Sequence, residues 1–202
     1  MTLYVSYMES RQRGNPAGHT NEHVAANLRR ARQSSGVDLR ELSARIKATG
    51  RTISASALSK IENGDRRVDV DDLTVFAYAL ETTPTALLTP PEDASTPAGV
   101  PEGRFTHEEV QAWIQGKVKL TAADLIRYWT DEAHVCQSYI FRFKGLISAQ
   151  EAAIPPSGQW VTPTEVYQES LAAQRARLGL ISARLLELDP TSAPIVETPD
   201  NP

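Results

Sequence analysis

The chain has 202 residues, a formal net charge of −4, 41% hydrophobic residues and one cysteine, Cys136. A lone cysteine excludes an intramolecular disulfide and a cysteine-only metal site, and no apolar run approaches the roughly 20 residues of a membrane span. The N-terminus lacks the basic, apolar, small-residue order of a secretory signal, so one domain or two small ones in the cytoplasm are expected.

The negative sum hides an asymmetry. From Glu22 to Arg67 ten basic side chains stand beside five acidic ones, a local charge of +5, whereas nine basic and thirteen acidic residues from Glu102 onward give −4. For contact with phosphate the local surface counts more than the total. Mixed charges that merely solvate helices are the plainer alternative.

Residues 1–20 hold a short apolar run, Leu3-Tyr-Val-Ser-Tyr7, followed by a polar stretch with Gly and Pro. A flexible arm is expected, either a solvated tail or one whose Arg11 and Arg13 touch phosphate or a minor groove. The first helix is predicted from Glu22 to Ser34, with Val24, Leu28 and Ala31 as its apolar stripe. Gly36 stops it. Asp38 with Glu41 reads as a capping box for a second helix, whose Leu39, Leu42 and Ile46 face inward. The segment Lys47-Ala-Thr-Gly-Arg-Thr52 then forms a turn. Ile53 is expected to be buried, Ser54 to cap a third helix, and Leu58 and Ile61 to form its inner face. Glu62-Asn63-Gly64 ends that helix. A fourth helix starts at Asp69-Val-Asp-Asp72, acidic residues at a positive helix end, and buries Leu73, Phe76, Ala77 and Leu80. Thr83-Pro84 opens a fifth, closed by Leu87 and Leu88.

This succession resembles the helix-turn-helix domain of Xre/Cro-type repressors. The Lys47–Thr52 turn is longer than is usual there. The resemblance implies an all-α, five-helix DNA-binding domain over residues 21–89, with the third helix in the major groove of double-stranded DNA. It implies a base-facing set of Ala55, Ser56, Ser59 and Lys60, with Lys60 able to donate to guanine and Ala55 to meet a thymine methyl. Arg32, Arg51, Ser54, Arg66 and Arg67 are the implied phosphate contacts, which position without specifying sequence. It also implies a pair between Glu62 and Arg32.

Residues 90–103 are rich in breakers and read as a linker. Residues 104–189 read as a second helical unit for dimerisation or interaction. Thr106 and Glu109 form a capping box before Val110, Trp113 and Ile114. Thr121 opens a helix whose Leu125, Trp129, Ala133, Cys136 and Ile140 recur at four, four, three and four. Both tryptophans are expected in a core. Thr162-Pro-Thr-Glu165 starts a last helix. Its Tyr167, Leu171, Gln174, Leu178, Ile181, Leu185 and Leu188 alternate four and three, a seam of about three heptads. That seam either pairs two subunits, with Tyr167, Leu171, Leu178, Ile181, Leu185 and Leu188 as dimerisation residues, or packs inside one chain. Residues 190–202, acidic and Pro-containing, are expected to be disordered.

Catalytic patterns are missing. There is no His-Glu-x-x-His, no phosphate-binding glycine loop and no Gly-x-Ser-x-Gly, and His19, His23, His107 and His134 are scattered. No enzyme activity, cofactor or metal is expected. The function expected is a homodimeric transcriptional repressor on half-sites about 34–36 Å apart or a multiple of that. The alternative is an antitoxin-like or phage-encoded interaction protein whose C-terminal helices bind a protein partner.

Overall fold

The computed structural model describes residues 17–152 and 164–197. The Leu3–Tyr7 run, Arg11, Arg13 and the Thr162-Pro163 helix start lie outside them. Among the described residues every regular element is helical, eight in all. The chain forms two compact units that meet in sequence between Lys117 and Val118.

The first unit begins with α1 (His19–Ser34), α2 (Leu39–Ala48), α3 (Ala55–Glu62), α4 (Val70–Ala79) and α5 (Pro84–Leu88). α1 starts three residues before the predicted Glu22, so residues 19 and 20 belong to a helix and not to an arm. The caps are local chemistry. Asp38 accepts from the backbone of Arg40 and Glu41, Ser54 from Ala57, Asp69 from Asp72, and Thr83 from Ala86. Glu41 does not complete a box with Asp38; it pairs with Arg45 one turn on, at 2.6 Å.

The inward faces follow the predicted periodicity. Leu28, Leu42, Ile46, Ile53, Leu58, Ile61, Phe76, Leu80 and Leu87 form one buried cluster. α1 packs on α3 and α5, α2 on α3 and α4, and α4 on α5. Asn27 is one of the buried polar residues of this unit. Its amide donates to the carbonyls of Leu87 at 3.0 Å and Thr89 at 2.6 Å, satisfying groups that the end of α5 leaves without helical partners.

The predicted 90–103 linker lies against this unit. The backbone N–H of Ala98 donates to Thr20 Oγ1 at 2.9 Å, Thr96 donates to the carbonyl of Val100, and Pro90 and Pro97 are buried. Prolines lose less entropy on ordering than other residues, so breakers here mark an ordered non-helical strap. α6 (His107–Ile114) follows, with both halves of the Thr106–Glu109 capping box formed. It belongs to the first unit, whereas the sequence pattern groups it with the second. Trp113 is 40% exposed rather than in a core, because this short helix buries Glu109, Val110 and Ala112 instead.

His23, on α1, is buried beside the Ser95 backbone, and its Nδ1 has no hydrogen-bond partner among the described residues. Burial pushes its pKa below the ordinary 6.5; the hydrogen bond the ring makes to the Ser95 backbone carbonyl and the charge of Glu22 oppose this, and His19 and His107 add to it. The unfolded chain therefore binds the extra proton first. This stability is complete above about pH 6.5 and is lost as pH falls through the depressed folded value. Urea unfolding at pH 7.5 and pH 5 should show wild type losing more stability on acidification than His23→Gln. Equal losses would refute the assignment.

The second unit is a helical hairpin of α7 (Ala122–Ala152) and α8 (Thr164–Leu188). Arg177 reaches Glu132, the Tyr167 ring lies 6.4 Å from that of Phe143, and Thr164 bonds Gln150. The partner numbers fall on one helix as they rise on the other, so the two run antiparallel. Leu125, Trp129, Ala133, Cys136 and Ile140 are buried on α7, and Leu171, Leu178, Ile181 and Leu185 on α8. The heptad seam is thus packed against α7 of the same chain.

Residues 190–197 also depart from the expected disorder. Asp189 accepts from Thr191 and Ser192, turning the chain back, and these bonds hold its carboxyl below the usual range. The Ile195 N–H donates to Ser182, and the Val196 carbonyl accepts from Gln137. Glu197 sits between Arg175 at 2.8 Å and Lys144 at 2.5 Å, which lowers its pKa to about 2. Composition marks this segment as polar, but specific cations on both helices hold it.

Candidate nucleic-acid interface

α2, a turn and α3 form the helix pair on which the candidate site rests. From the C-cap Thr49 to the N-cap Ser54, both included, the chain makes a six-residue turn. Gly50 there has φ 91°, a left-handed conformation that a side chain disfavours. The turn is pinned at both ends. Thr49 Oγ1 donates to the carbonyl of Ile46 at 2.7 Å, and Ser43 Oγ donates to that of Ile53 at 2.6 Å. Burial of Ile53, Leu58 and Ile61 then fixes which side of α3 faces outward.

The outward side is narrower than the sequence register implies. Ser56 and Lys60 are exposed, but Ala55 and Ser59 are half-buried. Ser54 Oγ serves as the cap acceptor at 3.2 Å from the Ala57 nitrogen and lies 3.0 Å from Ser56 Oγ. The positions this face offers to a ligand are therefore chiefly Ser56 and Lys60.

Two of the arginines expected at phosphate are engaged inside the unit. Arg32 donates from Nε and Nη2 to the two Glu62 oxygens at 2.6 and 2.9 Å, and from Nη1 to the Val37 carbonyl at 2.9 Å. The Glu62 side chain is 4% exposed, and Arg29 approaches it at 3.7 Å. Arg29 also donates to Asn63. The bond to Glu62 raises the Arg32 pKa further. The pair ties the end of α1 to the end of α3 and leaves Arg32 little to offer a ligand. Arg51 is likewise occupied, by Asp69, Asp71 and Asp72.

Arg66 and Arg67 remain outward, between α3 and α4. Arg66 has one weak approach, 3.8 Å to Asp72, and Arg67 shows no acidic partner among the described residues. Arg30, Arg40 and Lys47 are also exposed cations of this unit, without a carboxylate within ion-pair distance among the described residues. Sequence does not single them out, because only partner geometry separates a cation clamped by a carboxylate from one that is not.

The arrangement of α1 to α5 is that of a helix-turn-helix domain. Residues 23–88 match a family model described as a helix-turn-helix domain, which supports a DNA-binding role for this unit. No curated protein and no solved structure matches the chain. Among the described residues, no helix is long and apolar enough to cross a membrane.

Proposed function

We propose that this chain is a sequence-specific, double-stranded-DNA-binding transcriptional regulator of the Xre/Cro type. It acts in the cytoplasm as a repressor, as a homodimer on paired half-sites. The observation that carries this reading is α3. It is the second helix of a helix-turn-helix pair, its apolar side is sunk in the core, and Ser56 and Lys60 stand out on the opposite side. Arg30, Arg40, Lys47, Arg66 and Arg67 supply sequence-independent attraction to phosphate.

The test is selection of bound duplexes by the full-length protein at stated salt. Enrichment of a paired motif supports the reading, and a pool that stays random sinks it. Lys60→Ala should then relax preference at one position of the enriched motif, worth about 1–3 kcal/mol for a direct base contact. An equal loss on all sequences would instead place Lys60 at phosphate.

In this reading the second unit joins the subunits through residues outside the buried seam. Phe141 on α7 is 76% exposed, and Tyr139 and Leu180 are also outward. The same exposed ring favours a second reading, in which the hairpin receives a different protein and the chain is antitoxin-like. Light scattering of the full-length protein separates them, since a monomer that becomes a dimer only with a co-expressed partner favours the second.

A further inference from the structure

We infer that Arg51 is a positioning residue: it fastens the α2–α3 turn to the start of α4, and the sequence preference of α3 depends on that fastening. The inference rests on the DNA-binding reading above. Arg51 points its guanidinium at three carboxylates of one short segment. Nε lies 2.6 Å from Asp72 Oδ1, Nη1 3.2 Å from Asp71 Oδ2, and Nη2 2.7 Å from Asp69 Oδ2. These acids raise its pKa, the Asp72 bond most.

Each carboxylate has a fixed backbone. Asp69 is the N-cap of α4 and accepts from the Asp72 N–H at 2.6 Å. α4 is held by its packing on α2 and α5. The Asp72 side chain is 2% exposed, and its other cation, Arg66, stands at 3.8 Å. A buried carboxylate needs a well-placed partner, so Arg51 is held where it is. Thr49 and Ile53 pin the ends of the turn, while Arg51 pins its middle. Ordering a six-residue turn costs more chain entropy than ordering a tight one, and the fork offsets that cost.

A phosphate role for Arg51 fits this geometry poorly. The cluster of one arginine and three aspartates carries a net negative charge, so a DNA phosphate brought there meets repulsion and must displace three ion pairs. The fork also needs arginine. A lysine ammonium can neutralise a phosphate as a point charge, but it cannot reach three carboxylates in fixed directions.

The experiment uses full-length wild type, Arg51→Ala, Arg51→Lys and Asp72→Asn. Dissociation constants are measured across a salt series on the duplex enriched by wild type and on a scrambled duplex. The expected result is that Arg51→Ala and Arg51→Lys both cut the enriched-to-scrambled affinity ratio by about tenfold, the size of one mis-set base contact, with the salt slope unchanged. Asp72→Asn should cut the ratio too, although it makes the protein more positive. The inference is overturned if Arg51→Ala loses affinity equally on both duplexes with a slope smaller by about 0.9, the signature of one lost phosphate contact. It is overturned equally if Arg51→Lys or Asp72→Asn keeps the wild-type ratio. If Arg51→Ala does not fold, those two variants decide the matter. Wild type that enriches no duplex overturns the DNA-binding reading and this inference together, whereas an unchanged ratio in the variants overturns this inference alone.

Discussion

Glu62→Ala should destabilise the N-terminal unit by about 3–5 kcal/mol, the cost of leaving one member of a buried ion pair without its partner. The expectation comes from geometry, not from the presence of two opposite charges. Both Glu62 oxygens accept from Arg32, whose remaining bond goes to the Val37 carbonyl. Val37 is the buried residue that follows the end of α1, so the pair fixes α1, the chain leaving it and the last turn of α3 together. Removing Glu62 strands a guanidinium whose side chain is 14% exposed. The double replacement Arg32→Met with Glu62→Leu should recover most of the loss, because matched apolar side chains of similar volume avoid desolvating any charge. Urea unfolding of wild type, Glu62→Ala and the double variant checks both expectations. A cost for Glu62→Ala below about 1 kcal/mol would mean the pair behaves as a solvated surface bridge.

The helices α1 to α5 are legible because their apolar spacing and their caps agree. Leu28, Leu42, Leu58, Ile61, Phe76 and Leu87 sit at helical spacing, and Asp38, Ser54, Asp69 and Thr83 stand where helices must begin. Chains in which local and global preferences coincide are those most readable from sequence. The Arg32–Glu62 pair was implied by resemblance, and the structure shows it. Arg51 was misleading because its partners lie 18 to 21 residues away, and spacing along one helix carries no such information. The same holds for the strap and the tail. Thr20 meets Ala98 and Arg175 meets Glu197 through folding, while local composition records only prolines and acids. For the heptad of α8, periodicity showed an apolar seam but not its partner, since α7 of the same chain and α8 of another copy satisfy the same pattern.

Ile181→Ala should cost the second unit about 2–5 kcal/mol, the range for deleting a fully buried aliphatic side chain. Ile181 is 1% exposed, and the buried Leu178 and Leu185 flank it on the same face of α8. That burial exists within one chain, against α7. The loss should therefore be the same at high and low protein concentration, because an intrachain contact does not enter mass action. A seam between subunits predicts otherwise: destabilisation would deepen on dilution, and the variant would dissociate before it unfolded. Leu180→Ala is the matched control on the outward side of the same helix, where Leu180 is 73% exposed. Away from buried features, surface changes stay within about 0.5 kcal/mol, so Leu180→Ala should leave the melting of a monomer nearly unchanged. If it instead lowers the molar mass by light scattering without unfolding the hairpin, the subunit contact lies on the outward face of α8. Together the two variants separate the contact that folds the hairpin from any contact that joins two hairpins, which the heptad pattern alone merges.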